Sequence, residues 1–511
     1  IYFAMALFIF HPIHTEVVCS IKNREEILCF IFMLLALIAF IQFLKKDKIL
    51  FFIPFGAFAI LSMLSKQTAF NLFGWLLLLV FVGARFSDIK LNKLLKIVKY
   101  GVFVFATFLL YYIVFIHVPS TLTPADIEYS FEQNPYKAYP GSLSIPNGIQ
   151  TLFFYIKKLF IPFPLLFYYG YDMLPVKNWS NLSTYLGIVL MLLATFYILR
   201  SYFKKLQFEI PFWIVVFAIS IFPFSNLLKP IYITGIVGER LVYQASFDFC
   251  MLIALVVLNA NSYLSKKIEF QTKTWHNYIL LLPILSVFYV ITSQRSLQWE
   301  DKQTLYEHDI KYLSKSARAN SMIASMYMKS LEEIEGKKQL SSVKKAKKHF
   351  EQSVYVYPNY GESWLKLALI HSKYFNNIDS ALICLDMIEN DSSNIYIQSL
   401  ELRGDLFGRT KIDNIKALKN YREFWQFDNS KNRVYQKIQN ILFQEELFNE
   451  AIRYADEAIN KNWVEGFVDK GDALLALGNT ADAIYYYNLA IENGFKPPEF
   501  LKKVASLQEN Y

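Results

Sequence analysis

The stretch HPIHTEVVCSIKNREE, residues 11–26, separates two apolar runs at residues 1–10 and 27–44. It holds two His, three Glu, one Arg and one Lys beside segments with the composition of membrane helices. Ionisable groups are energetically expensive at that depth. A chain that keeps seven of them either places them in a solvated loop or uses them. Both interpretations stay open on this stretch alone, and the rest of the chain bears on the choice.

The overall composition is an average over two halves of the chain that differ in hydrophobicity. The 511-residue chain is 54% hydrophobic and 17% aromatic, with 46 Phe. Residues 1–293 carry repeated apolar runs of membrane-spanning length, whereas residues 300–511 are charged, helix-forming and lack such runs. The sequence therefore predicts an all-α protein with a multi-span membrane domain at 1–293, a linker at 294–316 and a repeat domain at 317–511.

Charge and cysteine usage narrow the function classes. The net charge of +9 lies largely in short Lys-rich loops of the first half, so it indicates membrane topology rather than nucleic-acid binding. Cys19, Cys29, Cys250 and Cys384 have no CxxC spacing, so they indicate neither a metal-binding knuckle nor a disulfide framework, and a requirement for a divalent metal stays open. Residue 1 already lies inside an apolar run, and we expect earlier helices to precede it.

Lysine and arginine predict the sidedness of the membrane domain. Apolar spans are predicted at about 1–10, 26–44, 49–64, 68–86, 98–117, 183–200, 210–228, 241–259 and 277–293. The basic connections at 45–48, 85–99, 200–205 and 266–273 fall on alternate turns, as one common cytoplasmic side requires. The outer side then receives residues 11–26, 65–67, 118–148, 168–183, 225–240 and everything after 293.

Residues 149–167 form an apolar segment that breaks this alternation. The segment holds Lys157 and Lys158 at its centre and Pro162 and Pro164 near its end. If it spanned the membrane, the basic loops after it would fall on the wrong side. We therefore predict an interfacial or re-entrant helix whose lysines reach the lipid headgroups, with a short ordinary span as the alternative.

The unusual polar residues gather on the predicted outer face, at helix ends or in short loops. Random loop polarity would scatter over both faces, so this convergence favours a functional cavity at the membrane surface over a set of solvated turns. The candidates are His11, His14, Glu16, Arg24, Glu25, Lys66, Asn134, Asp172, Asn226, Glu239 and Arg240.

A second pattern repeats along the C-terminal half with a period near 34 residues. Small residues recur 35, 36, 34 and 32 residues apart, at Ala346, Ala381, Ala417, Ala451 and Ala483. Four residues later stand Phe350, Leu385, Tyr421, Ala455 and Tyr487. This is the tetratricopeptide pattern, in which small residues let two antiparallel helices close together. We predict about five units in a solenoid whose concave face holds an extended peptide, with no catalytic chemistry of its own.

Several stretches together resemble the transmembrane and tetratricopeptide repeat-containing glycosyltransferases. They are residues 11–26, LSKQT at 64–68, Gln133-Asn134-Pro135, FYYGYD at 167–172, FPFSNLLKPIYITGIVGERLVYQASFDFC at 222–250 and QRSLQWED at 294–301. The resemblance covers nearly the whole chain in order. It implies a GT-C-type membrane enzyme that moves a sugar, such as mannose, from a polyprenyl- or dolichyl-phosphate carrier to Ser or Thr of a protein outside the cytoplasm.

The resemblance also implies roles for the outer-face residues. Sugar transfer from a lipid-phosphate carrier needs cations at the leaving phosphate and a carboxylate that accepts the proton of the acceptor hydroxyl. The candidate catalytic residues are Glu16, His14 and His11, and the candidate substrate-binding residues are Arg24, Glu25, Lys66, Asn134, Asp172, Asn226, Glu239 and Arg240. The acceptor polypeptide is expected on the repeats, and the lipid-linked sugar at the membrane domain.

Structural alternatives stand beside these roles. Arg24 and Glu25 are equally compatible with an ordinary interfacial ion pair, and Glu239 and Arg240 with an internal salt bridge. His11 precedes a proline, and a residue in that position avoids the helical conformation. His11 is therefore explained equally well as the residue that ends a helix.

The sequence departs from the family pattern in two places. Gln67 stands where the family has an acid after the Ser-Lys pair. The acidic loop between the first two helices, where the family places a catalytic carboxylate, would precede residue 1.

Other functions also remain open. One is a non-catalytic membrane-anchored scaffold, and another is a ligase of lipid-linked glycans. Low Gly with abundant Ile, Lys, Asn and Phe suggests an AT-rich genome, which favours a bacterial inner-membrane protein with periplasmic repeats; in a eukaryote the repeats would be in the ER lumen.

Overall fold

The computed structural model describes residues 1–46, 48–86, 143–170, 178–204, 208–227, 236–268, 274–333, 337–390, 393–409 and 413–510, with positions 102, 106, 109, 113, 173, 174 and 176. Most of the span expected at 98–117, the loop at 87–97 and the candidates Asn134 and Asp172 lie outside these residues. The described parts form two compact units, Ile1–Ile323 and Ala324–Tyr511. They contain α-helices and short 3-10 turns and no β-strand, which confirms the all-α fold class.

The first unit is built from eleven α-helices in the ranges that the structure describes, and a twelfth crosses into the second unit. They are α1 (Tyr2–Phe10), α2 (Thr15–Cys19), α3 (Arg24–Lys46), α4 (Phe52–Ser65), α5 (Asn71–Phe86), α6 (Ser144–Phe160), α7 (Leu182–Phe203), α8 (Glu209–Ile221), α9 (Tyr243–Ile268), α10 (Thr274–Gln298), α11 (Lys302–Asp309) and α12 (Ala317–Lys329). The 3-10 turns Pro12–His14, Ile21–Asn23, Gln67–Phe70, Phe222–Phe224 and Glu239–Val242 connect or extend them.

Helix α3 shows why these residues form membrane helices. Its 23 residues contain neither Pro nor Gly and span about 34 Å, enough to cross a hydrocarbon core of about 30 Å. Glu25 and Glu26 occupy its first turn and Lys45 and Lys46 its last, so the charges at both ends complement the helix dipole.

Three described helices are long and apolar enough to cross a membrane. They are Ile21–Phe43, Leu182–Phe203 and Glu239–Ala260, and a bent pair at Tyr2–Phe10 and Pro12–Cys19 would be a fourth. Shorter apolar helices at Phe52–Ser65, Gln67–Leu79 and Glu209–Phe224 match three more of the expected runs. These lengths and compositions indicate a membrane protein.

Helix α6 corrects one detail of the sequence interpretation. Lys157 is exposed, but Lys158 is buried and its ammonium group donates to the carbonyl oxygen of Pro164. Lys158 therefore points into the protein rather than toward headgroups, because the chain after α6 turns back and offers it a carbonyl acceptor.

Residues 294–316 were expected to be a linker, but they belong to the first unit. Leu305 and Leu313 are buried, and Arg295 pairs with Asp309 at 2.6 Å inside the unit. The segment looked linker-like because its polar residues outnumber its apolar ones, yet its charges find partners within the fold.

The second unit consists of antiparallel helix pairs. They are α13 (Lys337–Val356), α14 (Gly361–Tyr374), α15 (Ile378–Asp386), α16 (Asn394–Arg409), α17 (Asn414–Phe427), α18 (Asn432–Gln444), α19 (Phe448–Asn460), α20 (Val464–Ala476), α21 (Thr480–Glu492) and α22 (Pro498–Asn510). All five repeated alanines are fully buried: Ala346 lies on α13, and Ala381, Ala417, Ala451 and Ala483 lie on α15, α17, α19 and α21, each the second helix of its pair. The repeat register read from the sequence is therefore the register of the fold.

Candidate functional site

The site begins at the bend after α1. Helix α1 ends at Phe10, and His11 adopts an extended conformation with φ −64° and ψ 120° before Pro12. The chain turns by 54° there, and Thr292 of α10 donates its hydroxyl to the carbonyl oxygen of Phe10 at 3.1 Å. His11 thus ends a helix, as the structural alternative predicts.

Both histidines of the bend have protein partners. The Nε2 atom of His11 lies 2.9 Å from the carbonyl oxygen of Leu159, and its Nδ1 accepts the backbone N–H of Ile13 at 3.3 Å. Because a carbonyl only accepts, the proton of His11 sits on Nε2. The Nε2 atom of His14 lies 2.7 Å from the hydroxyl oxygen of Ser246. Both rings are buried, so they position the bend in the structure as it stands.

Glu16 and Arg240 join the two polar stretches that the sequence singled out. The guanidinium Nη1 of Arg240 lies 2.6 Å from Oε1 of Glu16, and the backbone N–H of Arg240 donates to Oε2 of the same carboxylate at 3.0 Å. The side chain of Glu16 is 5% exposed and that of Arg240 is 24% exposed. The pair therefore faces the surface through its cation.

Glu239 points the other way from its neighbour Arg240. Its Oε1 accepts the hydroxyl of Tyr169 at 2.5 Å and the backbone N–H of Leu166 at 2.7 Å. Its Oε2 is buried and has no hydrogen-bond partner within the described ranges. The alternative of an internal salt bridge between Glu239 and Arg240 is not among the described contacts, because each side chain has its own partner.

A second charged group lies at the start of α3. The ammonium group of Lys66 lies 2.6 Å from Oε1 of Glu25 and 3.2 Å from Oε1 of Glu26, and Thr68 donates its hydroxyl to Oε2 of Glu26 at 2.8 Å. Glu25 thus pairs with Lys66 rather than with Arg24. Arg24 itself is exposed, and the described residues give it no ion pair.

Sequence patterns did not indicate the residues that hold segment 161–170 beside Glu239. The carboxylate of Asp309 accepts two N–H groups from Arg295, at 2.6 and 2.9 Å, and the backbone N–H of Phe167 at 2.8 Å. Arg295 belongs to the QRSLQWED join, so one residue of that motif has a structural role that the motif itself does not reveal.

Asn226 has a backbone role. It adopts a left-handed conformation with φ 60°, which asparagine tolerates better than most residues, and its amide donates to the carbonyl oxygen of Ile236 at 2.9 Å. The residue therefore ties the end of α8 to the segment that leads into α9. The candidates Asn134 and Asp172 lie outside the described residues.

This arrangement brings carboxylates and cations together in a half-buried place. Asn23, in the 3-10 turn before α3, donates its amide to the carbonyl oxygen of Glu16 at 3.3 Å and so links the Glu16–Arg240 pair to the start of α3 in one polar cluster. Such a cluster is suited to bind an anion through its cations and to accept a proton on a carboxylate. Among the described residues, no three His, Cys, Asp or Glu side chains meet in a way that could hold a metal ion.

Comparison with known proteins gives two curated relatives. Protein O-mannosyl-transferase TMTC3 of Homo sapiens is 24% identical over 385 residues, which are 70% of this chain and 39% of that protein. The Mus musculus protein of the same name is 23% identical over the same shares. At this low identity the chain is similar to the TMTC proteins. The resemblance seen in the sequence is confirmed at that level.

The similarity to known proteins is limited in length and in structural agreement. The chain spans about two fifths of the length of these curated relatives, and no family model matches it. Solved structures similar to it include the MamA protein, 16% identical over 34% of this chain and 92% of that one, with a TM-score of 0.28. Yeast Tom70 is 10% identical over 91% and 90%, also with a TM-score of 0.28. The helix pairs described above, not these structures, define the fold of the second unit.

Proposed function

We propose that this protein is a membrane glycosyltransferase that moves a hexose, such as mannose, from a polyprenyl- or dolichyl-phosphate carrier to Ser or Thr of a polypeptide. The Glu16–Arg240 pair carries the proposal, because it unites the two polar stretches in a half-buried cluster at the end of membrane helices. The O-mannosyl-transferase name of the TMTC relatives supports the reaction class.

The proposed reaction exchanges one bond at the sugar. The acceptor hydroxyl oxygen attacks the anomeric carbon, the bond from that carbon to the phosphate oxygen breaks, and the phosphate leaves with the bonding electrons. The hydroxyl proton passes to a carboxylate, for which Glu16 is the candidate. Negative charge grows on the leaving phosphate, and the guanidinium of Arg240 would stabilise it with Lys66 and Arg24.

The other members of the cluster have positioning roles in this proposal. His11 and His14 fix the bend that carries Glu16, through Leu159 and Ser246. Glu239 holds segment 161–170 through two hydrogen bonds, so it shapes the wall of the site. The repeats of the second unit would hold the acceptor polypeptide on the extracytoplasmic side, in the periplasm of a bacterium or the ER lumen of a eukaryote.

A transfer assay tests the proposal on the full-length protein in liposomes. The donor is a labelled polyprenyl-phosphate hexose and the acceptor is a Ser/Thr-rich peptide. Loss of the catalytic base in Glu16→Gln should lower transfer by roughly 100-fold or more. Glu209→Gln, an exposed acid in the first turn of α8, should transfer at the wild-type rate.

Two results would contradict the proposal. Equal transfer by Glu16→Gln and the wild type would remove Glu16 from the reaction. No transfer by the wild type from any lipid-phosphate hexose would favour the scaffold alternative, and transfer only from lipid pyrophosphates would favour the ligase.

A further inference from the structure

A buried carboxylate lies deep in the first unit, away from the proposed transferase site. Asp248 is fully buried in α9, within the apolar span Glu239–Ala260. Nine residues along a helix place it about 14 Å from Glu239 along the helix axis. An ionisable side chain inside a membrane helix is expensive and usually has a function.

Three helices meet at Asp248. Ser220, at the end of α8, donates its hydroxyl to Oδ2 of Asp248 at 2.6 Å and accepts the indole N–H of Trp75 at 3.0 Å. The amide of Asn71, at the start of α5, donates to Oε1 of Gln244 at 2.8 Å and lies 3.5 Å from the carbonyl oxygen of Ser220. Polar groups from α5, α8 and α9 therefore converge around Ser220.

Two oxygens at this junction lack hydrogen-bond partners in the part of the chain that the structure describes. They are Oδ1 of Asp248 and Oδ1 of Asn71. Asp248 is 0% exposed and Asn71 is 1% exposed, so bulk water does not satisfy either atom. Buried polar atoms without partners are uncommon in folded proteins, and a bound ion is one explanation for two of them at one junction.

The junction also lacks a counter-charge. Within the described residues, Ser220 is the hydrogen-bond partner of Asp248 and no Lys, Arg or His side chain pairs with it. Helix α8 ends at Ile221, one residue after Ser220, and the C-terminal carbonyls of a helix carry partial negative charge. A carboxyl group next to a helix C-terminus in an apolar bundle is either protonated or balanced by a cation.

A polar path leads from the surface to this junction. Lys66 and Glu25 stand at its outer end, with the side chain of Glu25 43% exposed. Glu26 accepts the hydroxyl of Thr68, and Thr68 accepts the amide of Gln244 at 3.2 Å. Between solvent and Asn71, this chain of hydrogen-bonded side chains carries oxygen atoms on Glu25, Glu26, Thr68 and Gln244.

We propose that Asp248 and Asn71 bind a sodium ion inside the helix bundle. Hard oxygen ligands suit alkali and alkaline-earth cations rather than transition metals. One carboxylate with neutral amide and hydroxyl oxygens balances a single positive charge, so a monovalent ion fits and a divalent ion would leave excess charge. The ion would join α5, α8 and α9. This proposal does not depend on the proposed transferase activity.

Thermal unfolding of the full-length protein in nanodiscs tests the site. The protein is compared in sodium chloride and choline chloride at equal ionic strength and one pH. A bound ion stabilises the folded state in proportion to its occupancy, so Tm should rise with sodium and then saturate. Retention of radioactive sodium by the wild-type protein provides a second measurement, which needs no variant to fold.

Two variants test whether the sodium response arises at Asp248 and Asn71. Asp248→Asn keeps the size of the side chain and removes its charge, so it should weaken sodium binding at least about tenfold, because ligand charge sets cation affinity. Asn71→Ala should weaken it less. The control is Ser201→Ala, which removes another buried oxygen without a described partner, on α7, and it should keep the wild-type response.

Three results would overturn the proposal. The first is an equal Tm in sodium and choline with no retained sodium, which would mean that Asp248 is a protonated acid. The second is a sodium response that Asp248→Asn leaves unchanged. The third is a sodium response of Tm that is lost in Ser201→Ala but kept in Asp248→Asn and Asn71→Ala.

Discussion

Neighbouring residues of the 3-10 turn Glu239–Val242 face different partners. Arg240 reaches Glu16 across 224 positions of sequence, while Glu239 turns inward to Tyr169. A 3-10 turn rotates each residue by about a third of a turn, so side chains next to each other in sequence diverge. This divergence lets one short turn supply both a surface cation and a buried carboxyl group.

Arg24 is the candidate phosphate ligand with no ion-pair partner in the described ranges. It starts α3, where the helix dipole also favours an anion. Arg24→Ala should lower transfer by roughly 100-fold, as expected on removing one preorganised donor. Arg24→Lys should recover only part, because Lys lacks the bidentate fork. The liposome transfer assay measures both.

The control for Arg24 is Lys22→Ala, an exposed cation in the 3-10 turn just before α3, which should transfer near the wild-type rate. Protein levels of Arg24→Ala should stay normal, since Arg24 is exposed and the described residues give it no ion pair whose loss would destabilise the fold. If Arg24→Ala disappears from the membrane while its remaining fraction transfers sugar at full rate, Arg24 is structural.

Asp469 makes the stability of the repeats depend on pH. Burial raises the pKa of its carboxyl to about 6, the hydrogen bond from Tyr435 at 2.6 Å lowers the pKa, and Asp472 raises it. The folded state therefore holds the proton more tightly than the unfolded chain does. The resulting contribution to stability is fully present below about pH 4 and is lost as the pH rises through about 6.

Asp469→Asn removes this charge and keeps an oxygen that accepts the Tyr435 hydroxyl. The free energy of unfolding at pH 7.5 should rise by roughly 1–3 kcal/mol, with little change at pH 4. Thermal unfolding of residues 324–511 at both pH values measures the difference. Asp482→Asn, an exposed acid on α21, should give no pH-dependent gain. An equal gain at both pH values would contradict the assignment.

At the scale of elements, glycine and tyrosine pair between the two helices of a repeat. A Cβ added to Gly404 would lie 2.4 Å from Cε1 of Tyr421, and one added to Gly471 would lie 2.4 Å from Cε1 of Tyr487. Each tyrosine hydroxyl also donates at 2.6 Å to the aspartate that follows its glycine. Two units therefore use the same Gly-Asp dipeptide to seat a tyrosine of the facing helix.

Ala483 tests the close contact between the helices of the last pair. It is fully buried on α21 and packs in one cluster with Leu474 and Tyr487. Ala483→Trp should lower the free energy of unfolding of the repeat unit by about 1–3 kcal/mol or more, because an indole overfills the contact. Tyr485→Trp on the exposed side of α21 is the control. Unchanged thermal unfolding of residues 324–511 in Ala483→Trp would contradict the repeat register.

At the scale of the whole molecule, the charge pattern predicts the topology. Residues 87–97 and 261–276 are expected in the cytoplasm and residues 300–511 outside it. Single cysteines at Asn92, Ser265 and Ser341, in a background with Cys19 replaced by Ser, should be labelled by an impermeant thiol reagent accordingly. The reagent applied from outside should reach Ser341→Cys alone. Labelling of Ser341→Cys only from the cytoplasmic side would refute the architecture.

The sequence by itself determined the features that depend on local periodicity. Ala346, Ala381, Ala417, Ala451 and Ala483 marked the repeat because a close helix contact demands a small side chain every 34 residues or so. Apolar length marked the long spans, because a hydrocarbon core fixes how many residues cross it. The clustering of polar residues near helix ends also followed from these spans.

The tertiary structure alone decided which charges meet. Glu16 and Arg240 lie 224 residues apart, and Arg240, not Glu239, has the ion pair. Lys158 looked like a surface lysine but points inward, since segment 161–170 returns to cover it. Partner choice depends on how helices distant in sequence pack, and a buried charge must find its counter-charge wherever packing places one. Periodicity along one chain segment carries no information about that choice.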